Sequence, residues 1–137
     1  MSMNTKLVMS VCAVVLGLTG IMFSFLPQEI ATYLGWGDTK PIVLQIMGAL
    51  YFGFAMINWT AKANIIGGIY GRPIAIGNFA HFVIGSLALI KLIMHNSAAI
   101  GIVAATLVYS VFALLFGYIL FTHPQVKTKE KTLTHMG

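Results

Sequence analysis

Acidic residues are nearly missing from this chain. Glu29, Asp38 and Glu130 are the whole complement in 137 residues, against eight lysines and arginines, for a formal net charge of +5. None of the three lies inside a long apolar run. Two-carboxylate acid and base catalysis, and proton-driven export of cationic compounds, therefore lack the group they need. Cysteine occurs once, at Cys12, which excludes an intrachain disulfide and dithiol redox chemistry. Cys12 sits among apolar neighbours, where a free cysteine packs as a small hydrophobe. Charged residues amount to 8% of the chain and apolar ones to 58%, far from the composition of a water-soluble domain. The few bases stand at the ends of apolar segments instead of forming one patch, so a nucleic-acid partner is excluded as a reading.

What the chain has in quantity is apolar sequence in four long runs. About 20 residues of helix cross a hydrocarbon core of roughly 30 Å. The runs predict spans over 7–26, 41–66, 73–94 and 98–122, followed by a polar, basic tail over 123–137. The expected fold is all-α: an integral membrane four-helix bundle with antiparallel, up-down spans and a short interfacial helix after the first span. That short helix is read from PQEIATYLGWG, with Pro27 opening it and Gly35 ending it. Tyr33 and Trp36 have the ring and polar tip of a membrane aromatic belt. Asp38 or Thr39 is expected to cap the second span, Gly67 and Gly68 to end it, and Pro73 to sit in the first turn of the third. Asn96 or Ser97 is expected to cap the fourth.

Bases at the span ends set the orientation. Lys6, Lys62, Arg72 and the tail lysines Lys127, Lys129 and Lys131 fall on one side, while Lys40 and Lys91 fall on the other. Positive residues stay inside, so both termini are expected in the cytoplasm. Small residues mark the contacts between helices. Ala13, Gly17, Gly20 and Ser24 form a seam on the first span; Gly101, Ala105, Tyr109, Ala113 and Gly117 repeat every fourth residue on the last. Such stripes let membrane helices approach closely, within one chain or between subunits.

Polar side chains inside the spans are few, and each needs a reason. Asn78 and His81 share a face of the third span with Gly85. On the second span Gly48, Tyr51, Ala55 and Asn58 lie on one flank; Gln45, Phe52, Met56 and Trp59 lie on another. Gln45, Tyr51, Asn58, Trp59, Asn78 and His81 are thus the candidate polar seam. A neutral imidazole both donates and accepts, so Asn78 and His81 suit a polar ligand, a quinone carbonyl or a passing proton. They also suit hydrogen bonding between helices, with Asn78 or the polar residues of the second span, Asn58 among them at similar depth, as the expected partners of His81. Both readings stand at this point. Bis-histidine haem is disfavoured, because His95 lies at the far end of the same helix and His123 at a membrane surface. Zinc is disfavoured too, since no second ligand accompanies His81.

Three segments, GLTGIMFSFLPQEIATYLGWG at 17–37, QIMGALYFGFAMINW at 45–59 and GGIYGRPIAIGNFAHFVIGSLALIK at 67–91, resemble the DoxX-like group of small four-helix membrane proteins. The resemblance implies a four-span bundle in the bacterial inner membrane and, for some relatives, association with quinone-linked oxidoreductases. It transfers no catalytic residue. Three functions remain open: a non-enzymatic binding or accessory subunit whose seam serves a partner or a lipid-like ligand, a quinone-associated oxidoreductase subunit, and a small-solute or ion channel. The lipid bilayer is the one partner the composition requires; a homo-oligomer or a membrane-protein partner is compatible with the stripes.

Overall fold

The computed structural model describes residues 4–37, 39–63, 71–95 and 99–122. Among them there is no strand. The elements are α1 (Thr5–Phe25), α2 (Pro27–Tyr33), α3 (Pro41–Ala61), α4 (Gly71–His95) and α5 (Ile100–Phe121). The four long helices are each long and apolar enough to cross a membrane. The chain is an all-α, multi-pass membrane bundle.

Its surface is the inverse of a soluble protein's. Leu18, Leu50, Ile84, Leu107 and Leu114 point outward, Ile84 with 68% of its surface exposed, while the buried set includes Asn58, Asn78, Ser86 and Thr106. Only hydrocarbon solvates such an exterior without cost.

Local chemistry explains the boundaries. Asn4 caps α1, its side-chain oxygen accepting from the Leu7 amide at 3.2 Å. Leu26 interrupts the helix and Pro27 opens α2 at its first position, where the missing N–H is no loss. Gly35 then adopts φ +72°, and the Trp36 amide donates to the Ala31 carbonyl at 2.7 Å while that of Gly35 donates to Thr32 at 3.1 Å. This is the Schellman stop, and it needs a residue that tolerates the left-handed region.

Several expected boundaries move. α3 is preceded by Lys40 in an extended conformation with no side-chain cap, so Thr39 does not cap it; Asp38 lies outside the described residues. The helix ends at Ala61 with Lys62 as its C-cap, short of the expected 66. A basic residue is favoured at the negative end of the helix dipole. α4 starts at Gly71, which keeps Pro73 in the first turn. α5 starts at Ile100 after Ala99. The expected caps Asn96 and Ser97, the stop at Gly67 and Gly68, and the tail from 123 lie outside the described residues.

The helices pair closely two by two: α1 on α3, and α4 on α5. Gly20 and Gly48 make the first crossing. A Cβ built on Gly48 would lie 2.7 Å from the Gly20 carbonyl oxygen, and one on Gly20 would lie 2.8 Å from that of Gly48. Gly17 faces the Ala55 methyl, with Ala13 buried farther along. In the second pair, Phe79 lies over Gly117 and the Tyr109 ring lies against Gly85. Lipid tails are as apolar as leucine, so contact of this closeness, not water exclusion, holds membrane helices together. Both pairs are antiparallel, since Gly17 meets Ala55 while Gly20 meets Gly48, and Gly117 meets Phe79 while Tyr109 meets Gly85.

Between the pairs the α3 and α4 backbones stay farther apart, as do those of α1 and α5. Side chains fill the space. Phe82, wholly buried, stacks on Phe112 and Phe116 with ring centroids 4.9 and 5.8 Å away, an arrangement favoured beyond simple area burial.

Candidate functional site

Two polar groups occupy the junction between the pairs, and they differ in what they leave unused. The first joins Asn58 of α3 to Asn78 of α4, both almost fully buried. The Asn58 Nδ2 donates to the Asn78 Oδ1 at 2.8 Å, and the Asn78 Nδ2 donates back to the Asn58 Oδ1 at 3.0 Å. Each amide gives its other hydrogen to its own helix: Asn58 to the Phe54 carbonyl and Asn78 to the Ile74 carbonyl, both at 2.9 Å. The Cys12 thiol of α1 adds a weak contact to the Asn78 Oδ1 at 3.8 Å. Two carboxamides have four N–H donors between them, and all four are engaged. The pair is a closed clasp between α3 and α4.

The second group lies deeper. His81 is ten residues beyond the start of α4, about 15 Å along the axis and so near mid-membrane. Its Nε2 is 3.2 Å from the Tyr109 hydroxyl of α5, and the Tyr109 hydroxyl is 2.7 Å from that of Tyr51 on α3. One chain of hydrogen bonds thus links three helices. Phe54 stacks on the imidazole at 5.1 Å, and Tyr51 and Phe82 meet it edge-on at 5.6 and 5.0 Å. Gly85 makes the chain possible. A Cβ there would come within 2.6 Å of the Tyr109 Cδ1, so the glycine lets the phenol lie flat against α4 and reach His81.

The chain has hydrogens to spare. Two phenols and a neutral imidazole carry three polar hydrogens, and the two internal bonds use two of them. If the imidazole donates to Tyr109 and Tyr109 to Tyr51, then Nδ1 ends as a bare acceptor and the Tyr51 hydroxyl as a free donor. Reversed, Nδ1 carries the free hydrogen and Tyr51 the free lone pairs. Either way one donor and one acceptor stand at opposite ends.

Of the six residues read from sequence as the polar seam, Asn58, Asn78, Tyr51 and His81 come together, in these two separate groups. Gln45 and Trp59 do not join them. Both are exposed on the outer side of α3, and the Lys62 ammonium sits over the Trp59 ring. Their flank, with Phe52 and Met56, faces outward, whereas Gly48, Ala55 and Asn58 are buried and Tyr51 half-buried. The expected direct partners of His81, Asn78 or the polar residues of the second span with Asn58 among them, are also corrected: His81 bonds Tyr109 of α5. Because α3 stops at Ala61, Asn58 lies one helical turn nearer the membrane edge and meets Asn78 instead.

Tyr109, the middle of this hydrogen-bonded chain, is legible from sequence only as a member of the packing stripe; its hydroxyl among small residues is the available signal. On the same stripe, Gly101 lies under the Tyr33 ring, Gly117 under Phe79, Ala113 is buried and Ala105 half-buried. Among the described residues no three His, Cys, Asp or Glu side chains gather at metal-ligand distance. Thr106 and Ser86 return their hydroxyls to backbone carbonyls of their own helices. Comparison with protein-family models, with curated proteins and with solved structures finds no match to this chain.

Proposed function

We propose that this small membrane protein is a non-enzymatic binding or accessory subunit, and that its polar seam holds a lipid-like ligand or a membrane partner. The observation that carries the reading is the unspent hydrogen-bonding capacity of the Tyr51, Tyr109 and His81 chain, set in an interior where the Asn58 and Asn78 donors are all engaged. A group with capacity to spare at membrane depth is expensive unless something uses it. What supports kinship with the DoxX-like group, a bacterial inner-membrane location and cytoplasmic termini is the text of the three glycine-rich segments together with the distribution of bases.

A quinone-associated oxidoreductase subunit is the second reading. It is favoured by the aromatic surroundings of the imidazole, Phe54, Tyr51, Phe82 and Tyr109, together with an Nδ1 that, when protonated, can donate to a quinone carbonyl. Purification in native-lipid discs, followed by mass spectrometry of extracted lipids and retained proteins, tests both. The binding reading expects an enriched bilayer-soluble molecule or a stoichiometric membrane partner. Enriched quinone with an oxidoreductase moves the conclusion to the second reading, and bulk lipid alone with no partner overturns both.

A further inference from the structure

We infer that the site is specific for a neutral amphiphile bearing a hydroxyl or carbonyl head, received at Nδ1 of His81 from the side of the bilayer. This deepens the binding reading above and rests on it. The first ground is the open valence. The imidazole's hydrogen bond runs through Nε2 to Tyr109, and Nδ1 has no partner among the described residues. No buried side-chain nitrogen or oxygen among them lacks a partner, so Nδ1 is not sealed inside.

The second ground is the direction of access. His81 and Gly77 are half-buried, and Ala80, Ile84 and Ala88 beside them on α4 are exposed; across the junction Phe54 is half-buried and Leu50 and Ile57 are exposed. The imidazole therefore sits at the rim between α3 and α4, where the two backbones stand apart, and the rim opens on lipid. A ligand arriving there is one that dissolves in the bilayer.

The third ground is charge and depth. The groups around the imidazole are Tyr51, Phe54, Phe82 and Tyr109, none of them charged. Lys91 stands ten residues along the helix, about 15 Å away. A charged head would be desolvated there with no counter-ion. Phospholipid heads stay at the surface and do not reach mid-membrane. A lone hydroxyl or carbonyl on a long apolar body also prefers the interface, but it carries no charge and reaches that depth at far lower cost, which a hydrogen bond at Nδ1 offsets. The reversible chain meets either form: bare Nδ1 accepts from a hydroxyl, and protonated Nδ1 donates to a carbonyl once Tyr109 and Tyr51 have turned their hydrogens the other way.

The test uses the full chain with 15N-labelled histidine, reconstituted in phosphatidylcholine bilayers. The His81 resonances are assigned by their loss in His81→Gln. Titration with 1-hexadecanol is expected to shift the Nδ1 resonance saturably, hexadecane to leave it unmoved, and hexadecyl sulfate to need at least about a tenfold higher mole fraction, in keeping with the cost of burying an unpaired charge. An unmoved Nδ1 resonance, an equal response to hexadecane, or an equal response to the sulfate overturns the inference. Lipid or partner recovered in native discs while Nδ1 stays unmoved sinks this inference and leaves the binding reading standing; neither result sinks both.

Discussion

His81 and Asn78 lie three positions apart on the same helix and do different work, because their neighbours on the facing helices differ. Asn78 meets another carboxamide of matching shape, which takes up all its donors. His81 meets a phenol that is itself bonded to a second phenol. Removal of each side chain should therefore separate stability from binding. Asn78→Leu leaves the Asn58 Oδ1 without its donor and one Asn58 N–H without its acceptor, and should cost about 1–2 kcal/mol. The double change Asn58→Leu with Asn78→Leu should cost less than the sum of the singles, which a double-mutant cycle in detergent unfolding reads directly. His81→Leu leaves Tyr109 still bonded to Tyr51, so its cost should stay near or below about 1 kcal/mol, yet the variant should lose whatever ligand the wild type retains. If His81→Leu unfolds the protein more than Asn78→Leu does, the division into clasp and site is wrong. The presence of both polar residues was legible from sequence. Their assignment was not, because Asn and His read alike until the facing helix supplies a partner.

At the scale of elements, contact between helices turns on single atoms. Gly48 of α3 faces the backbone of α1, whereas a Cβ on Gly53, a turn and a half later on the same helix, meets nothing within 4 Å. Gly48→Ala should destabilise by about 1–3 kcal/mol, as overpacking does, while Gly53→Ala should be neutral or slightly stabilising through helix propensity. Equal melting temperatures for the two variants would remove the argument. The last span offers the same contrast. Ala113 is buried beside the stacked phenylalanines and Leu115 is half-buried, so Ala113→Leu is expected to lower the melting temperature more than Leu115→Ala. Both small-residue stripes could be read in the sequence, since only Gly, Ala and Ser let two backbones approach. Which helix each stripe meets could not, since a stripe carries no label for its partner. The short α2 was legible from Pro27 and Gly35, but its Tyr33, expected as a depth anchor, also covers Gly101 at the start of α5.

For the whole molecule, antiparallel packing puts the start of α1, the end of α3 and the start of α4 at one end, the end to which Cys12, Asn58 and Asn78 belong. Lys6, Lys62 and Arg72 mark that end, and Lys40 and Lys91 the other. On a Cys12→Ala background, a cysteine at Lys62 should react with an impermeant maleimide only from the cytoplasmic side and one at Lys40 only from the outside; the opposite pattern would reverse the topology. The sequence by itself determined the class, the four spans, the interfacial helix and the seams where backbones come close, because these follow from run length, side-chain volume and turn chemistry within one stretch of chain. Only the tertiary structure decided that α1 pairs with α3 and α4 with α5, that Gln45 and Trp59 face outward, and that Tyr109 joins His81. Those outcomes depend on where α3 ends and how far each helix turns about its axis, and a shift of one turn exchanges one hydrogen-bond partner for another while leaving the apolar pattern unchanged.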